Sequence, residues 1–219
     1  TCLGGYRLTN NLHTVALGQS APEVDTTVFT DTGGRLLPGL PSHALAIDGY
    51  MDEENLGAAA AAAFATENVI FSTWPLGGAG GALTDIAYTG RALFSDYSDQ
   101  LKRGDVGRFR FAGKCSSGEK IVRGVLMHNA NRTTSSQSTG VQLGAVGAAQ
   151  TLYASLHVYA CGGAAPTLDV VVQNAATQGG AYTTRLTFAQ ATGLASAWQS
   201  AAGALADTWW RIGWTIGGA

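Results

Sequence analysis

The chain has 219 residues and is 46 % hydrophobic, enough for a large core and too apolar for wholesale disorder. Charged residues make up only 13 %, about half the usual share, with 30 glycines among the small residues that replace them. The net charge of −2 excludes a global basic footprint for nucleic acid. A surface this poor in charge suits a protein covered by other subunits, although Gly- and Thr-rich β-proteins share the composition.

In chain order, residues 1–22 offer one short alternating stretch, Leu12 to Leu17, with Leu12, Thr14 and Ala16 on one face. The N-terminal residues lack a basic region followed by an apolar one, so no signal peptide is expected. Residues Glu23 to Glu54 read as a long exposed arm followed by an anchoring strand. Thr32-Gly33-Gly34-Arg35 is a loop tip and Pro38-Gly39-Leu40-Pro41 a second break. From His43, alternation sets Leu45, Ile47 and Gly49 against Ala44, Ala46, Asp48 and Tyr50, a strand pattern. Asp52 then caps an expected helix near 53–66, whose first-turn carboxylates suit the helix dipole and whose alanines would pack closely on a sheet.

The remainder reads as strands: Val69 to Trp74, Thr84 to Phe94, Val106 to Cys115 and Ile121 to His128, the last two as a hairpin about Ser116-Ser117-Gly118. Asn129 to Gly140, NANRTTSSQSTG, is the most polar stretch and is expected to be a linker or long loop at a domain boundary. Beyond it come Leu152 to Ala160, Thr167 to Gln173 and Tyr182 to Phe188. Thr208 to Ile216 follows, with Trp210, Ile212, Trp214 and Ile216 on one face and Trp209, Arg211, Gly213 and Thr215 on the other. The fold class expected is mainly β, an antiparallel β-sandwich or barrel with one flanking α-helix. Residues 1–130 would hold the first sandwich, and 140–219 a second β-rich segment, either a separate domain or the completion of the same sandwich.

Chemistry is sparse. The cysteines Cys2, Cys115 and Cys161 are odd in number and far apart, with no CxxC spacing, which indicates reduced thiols. His13, His43, His128 and His157 belong to no ligand pattern, and Asp25, Asp31, Asp48, Asp52, Glu53 and Glu54 are explained by loop and capping roles. No GxSxG elbow, Walker loop or dinucleotide fingerprint exists, so no catalytic, metal or cofactor site is expected and the protein is read as non-enzymatic. Lys102, Arg103, Arg108 and Arg110 form a basic cluster best read as a solvated edge that discourages strand pairing. The longest small-apolar run, Gly57 to Ala65, is too short to span a bilayer, so a soluble protein made in a cytoplasm is expected, with no membrane partner. Trp209 beside Arg211 is a candidate aromatic contact surface that could stack on a sugar or base.

The string VDTTVFTDTGGRLLPGLPSHALAIDGYMDEE resembles the tail-tube (major tail) proteins of long-tailed bacteriophages, in its Thr/Asp-rich loop, Arg, Gly-Leu turn and alternating strand. ALTDIAYTGRALFSDYSDQLKRGDVGRFRFAGKCSSG is similar to their strand–turn–strand through a Gly-Asp-Val turn, here Gly104-Asp105-Val106. The resemblance covers roughly residues 12–128. It implies a virion protein of the phage tail, six copies closing into a ring and rings stacking into a tube. Its partners would be itself and other virion proteins, with genomic DNA passing through the lumen without specific binding. The arm would make the subunit contact through Thr26, Thr27, Phe29, Asp31, Arg35, Leu36 and Leu40. A capsid decoration or accessory virion protein, and a carbohydrate-binding β-module using Trp209, Trp210 or Trp214, are the alternatives.

Overall fold

Alternating apolar residues and frequent glycine turns give a chain of antiparallel strands. The computed structural model describes residues 1–8, 12–26, 35–50, 63–64, 66–75, 82–100, 105–116, 118 and 120–218. In order the strands are β1 (Cys2–Leu3), β2 (Tyr6–Arg7), β3 (Leu12–Ser20), β4 (Glu23–Asp25), β5 (Leu36–Pro38), β6 (Ser42–Tyr50), β7 (Val69–Thr73) and β8 (Ile86–Gln100). They continue as β9 (Arg108–Cys115), β10 (Val122–Val125), β11 (Ser136–Gln137), β12 (Val141–Gln142), β13 (Thr151–Val158), β14 (Thr167–Ala175), β15 (Thr183–Thr187), β16 (Ala195–Ala202) and β17 (Trp209–Gly217). The helix expected near 53–66 falls almost wholly outside the described residues. Of that span, Ala63 is buried and Phe64 bridges to Phe94. The sheets are open, so the expected sandwich or barrel is not a closed one.

The chain divides into two compact units: residues 1–10, 70–90 and 122–219, and residues 11–69 and 91–121. The polar stretch 129–140 lies inside the first. In the second unit, the later part of β8 pairs with β9, β9 with β6, and β6 with β3, all antiparallel. The face carrying Leu45, Ile47, Phe94, Phe109 and Phe111 is buried. Phe94, Tyr97 and Phe109 each set their rings against Phe111 at centroid distances of 6.2, 4.8 and 5.5 Å.

Tyr97 reaches that face because of a bulge between Phe94 and Asp96, which shifts the pairing by one residue and turns Tyr97 inward to face Phe111. Gly113 sits opposite the bulge. A Cβ there would lie 2.5 Å from the Leu93 carbonyl oxygen, so the close approach of the two backbones requires glycine.

The first unit has its core under β17. Trp210 and Trp214 pack with Val170, Val172, Leu186 and Phe188, and Ile212 and Ile216 complete the stripe read from the sequence. β14 pairs with β17 over nine residues, and β15 with β14. The β13–β16 ribbon lays Leu152, Ala154, Leu156, Ala197 and Ala201 on this core. Its other face carries Ser155 and His157, which meet Ser72 of β7.

The hairpin expected between β9 and β10 does not form. β10 pairs instead with the first residues of β8, Val122 opposite Thr89 and Val125 opposite Ile86. β8 is fifteen residues long; its later residues pair with β9 and its first residues with β10.

Candidate assembly surface

The arm is the continuation of one long hairpin. β3 and β6 pair from Leu12↔Gly49 to Ser20↔Ser42, and beyond a break the same two legs pair again as β4 and β5, Glu23↔Pro38 to Asp25↔Leu36. Pro22 and Pro41 cannot donate ladder hydrogen bonds, which interrupts the pairing between the two stretches. Gly39 N–H donates to the Pro22 carbonyl at 2.6 Å and holds the break closed. A Cβ on Gly39 would lie 2.8 Å from Pro22 Cγ, so the tight crossing depends on glycine. Past β4, Thr26 N–H and its Oγ1 both donate to the Arg35 carbonyl, at 2.8 and 3.1 Å.

Every residue of β4 and β5 is exposed. Val24 is 49 % exposed, Leu36 55 %, Leu37 49 % and Leu40 89 %. Four apolar side chains on and beside this ribbon are therefore presented to water. Full burial of one Leu or Val side chain is worth about 1.5–3 kcal/mol, a strong drive toward a covering surface. Of the contact residues expected from the sequence, Thr26, Arg35, Leu36 and Leu40 lie on this ribbon or at its break, while Thr27, Phe29 and Asp31 lie outside the described residues.

Beside the arm, β3 ends its sheet among the described residues. Its sequence, LHTVALGQS, contains no charged residue and no proline, two of the devices that keep an edge strand from pairing with another chain; a bulge between Leu12 and Thr14 lies near its start. The basic cluster is partly committed: Arg108 lies over the Tyr50 ring at 5.9 Å, and Arg110 approaches Asp48 at 3.8 Å, a pair exposed enough to add little stability. Lys102 and Arg103 lie outside the described residues.

The second expected surface has a different arrangement from the one read off the sequence. Arg211 stacks on Tyr182, 3.8 Å from the ring centroid, and its Nε donates to Gln173 Oε1 at 2.8 Å. The Tyr182 hydroxyl donates to the Gln178 carbonyl at 3.0 Å. Arg211 thus occupies one face of an aromatic ring contributed from outside its own strand, a partner that strand periodicity cannot reveal. Trp209 is half-buried, and Trp210 and Trp214 are core residues whose indole N–H groups donate to Gly144 and Thr134 carbonyls.

The half-buried Ser72–His157 pair escaped the sequence reading. His157 Nε2 lies 2.9 Å from Ser72 Oγ, which also contacts Thr89 and Ser155 hydroxyls at 2.9 Å each. Burial pushes the His157 pKa down to about 4, so the ring is neutral near pH 7. Among the described residues its buried Nδ1 has no hydrogen-bond partner, and none of their acids orients the ring as a triad would require. The pair is a packed polar seam of the core. Among the described residues, no group of three or more His, Cys, Asp or Glu is placed to hold a metal ion, and no helix is long and apolar enough to cross a membrane.

No protein-family model matches the sequence, and no curated protein matches it. Solved structures with some likeness include a chain of the virion of a native gene transfer agent particle, at 15 % identity and TM-score 0.37, over 51 % of this chain and 85 % of that one. A chain of the tail of an empty gene transfer agent particle, refined with C6 symmetry, shows 13 % identity and TM-score 0.38, over 57 % and 93 %. The Dit protein of SPP1, described as a paradigm of the hub adsorption apparatus in phages infecting Gram-positive hosts, shows 9 % identity and TM-score 0.34, over 99 % and 100 %. Likenesses of this size fix neither a family nor a function.

Proposed function

We propose that this chain is a structural virion protein of a phage tail, a tail-tube subunit that assembles into stacked homo-oligomeric rings, six-membered as its sequence resemblance implies. The observation that carries this reading is the β4–β5 ribbon: an extension of the β3–β6 hairpin that displays Val24, Leu36, Leu37 and Leu40 to solvent. A ribbon this short is not stable alone, and its apolar side chains gain burial only against another surface. Among the described residues β3 ends its sheet, and the uncharged, proline-free stretch of that strand supplies a second element suited to meeting a neighbouring copy.

In this reading the protein is not an enzyme and needs no cofactor. Its work is geometric: one contact closes the ring, and the arm joins successive rings. Genomic DNA passes through the lumen without specific binding, and other virion proteins cap the tube. Deletion of residues 30–35, which the sequence reads as the loop tip of the arm, is the test. The expected product is a folded monomer, by circular dichroism and sedimentation, that forms no tubes; a variant that assembles as the parent does would remove the arm from the account.

A further inference from the structure

The stretch Asn129 to Gly140 is not a free linker. It runs as a strap along the edge of β17, held by few contacts of unusual kind. β11 pairs Ser136 with Trp214 and Gln137 with Gly213, and β12 pairs Val141 with Trp210 and Gln142 with Trp209. Around β11, serine hydroxyls stand in for strand backbone: Ser138 Oγ accepts the Ile212 N–H at 3.0 Å, and Ser135 Oγ accepts the Ile216 N–H at 2.9 Å. The Trp214 indole N–H donates to the Thr134 carbonyl at 3.0 Å. From Ala130 to Gln137 every residue is exposed, so the strap adds hydrogen bonds and almost no apolar burial. Such a segment belongs to the low-stability end of a fold.

One cluster fastens its start. The His128 ring lies 4.8 Å from the Trp214 ring at an interplanar angle of 32°, and the Arg132 guanidinium sits 5.4 Å from the Trp214 ring centroid. Arg132 Nε–H donates to His128 Nε2 at 3.3 Å. That bond requires an unprotonated Nε2, and the Ala130 backbone provides a further hydrogen bond to the ring. Among the described residues, the His128 ring interacts with Arg132 of the strap, the uncharged indole of β17 and this backbone group. Among the described residues, no ion pair with a carboxylate involves His128 or Arg132.

We propose that His128, Arg132 and Trp214 form a proton-operated latch, closed while His128 is neutral, that loosens the strap from the β17 edge when His128 is protonated. A proton on Nε2 abolishes the acceptor for Arg132 and sets two cations against each other beside the Trp214 ring. Burial, and then the Arg132 charge, lower the His128 pKa from 6.5, so the latch stays shut at neutral pH and opens on acidification. Opening uncovers the backbone groups of Ile212 and Ile216, an edge able to accept another strand.

The test is hydrogen exchange by NMR between pH 7.5 and 4.5, corrected for intrinsic rates. The probes are the Ile212 and Ile216 amides and the Trp214 indole N–H, with the Val172 amide of β14 as the reference for global opening. Loss of one charge-assisted bond predicts that protection at Ile216 falls about tenfold relative to Val172 as pH drops. His128→Gln, which keeps an acceptor but cannot be protonated, is expected to stay protected across the range. Arg132→Ala is expected to show weak, pH-independent protection. Constant relative protection in the parent protein, an equal fall in His128→Gln, or a persisting pH dependence in Arg132→Ala would each overturn the latch.

Discussion

Lowering the pH is expected to destabilise this protein through His157, and the size of the effect follows from where that ring sits. It is buried against Ser72 with its Nδ1 unpartnered, and burial lowers its pKa from 6.5 to about 4. The native state therefore keeps the ring neutral while the unfolded chain binds a proton below about pH 6.5. Between the two values the unfolded state holds more protons, so stability is full above pH 6.5 and is lost as pH falls toward 4. At about 1.4 kcal/mol per pH unit, the loss from pH 7 to 4.5 is roughly 2–3 kcal/mol from this side chain alone. Urea unfolding of the parent and of His157→Gln across that range isolates the contribution of this ring. The variant is expected to start less stable, having lost the fitted imidazole, and to decline with pH by that much less. Parallel declines would show that His157 is not the buried neutral base described.

Three further outcomes follow. Gly113→Ala places a Cβ 2.5 Å from the Leu93 carbonyl oxygen at the β8 bulge and is expected to cost about 1–3 kcal/mol in urea unfolding, since backbone must move to relieve it; an unchanged midpoint would refute that packing. Trp210→Ala removes a core side chain and its bond to Gly144 and is expected to cost about 3–5 kcal/mol, against much less for the half-buried Trp209→Ala; equal losses would contradict the two faces of β17. Leu36→Asp with Leu40→Asp alters only exposed positions, so thermal stability should stay within about 0.5 kcal/mol of the parent while sedimentation shows self-association lost.

The parts of the fold that were legible in the sequence are those where one face is buried and the other wet. β6 and β17 alternate cleanly, and their inner residues, Leu45 and Ile47 in one and Trp210 and Trp214 in the other, are the buried ones. Pairing partners were less legible, because hydrophobic period says which face a strand buries and nothing about which edge it joins. Hence the turn at Ser116-Ser117-Gly118 suggests that β10 pairs with β9, whereas β10 pairs with the first residues of β8. β16, ASAWQSAA, has no β-branched residue and became a strand through its eight-residue register with β13. The strap from Asn129 to Gly140 looked like a linker for the same reason that it is weakly held: its serines bond as hydroxyls and bury almost nothing. Of the two surfaces, the arm follows from its turn residues and exposed leucines. The pairing of Arg211 with Tyr182 joins residues far apart in sequence and leaves no local signal.

The central claim, that this chain is built to assemble with copies of itself, is tested most directly by electron microscopy of the purified protein at high concentration. The account predicts rings of uniform diameter that stack into tubes. A population of monomers, with no rings or tubes under any of the concentrations at which the protein stays in solution, would contradict it.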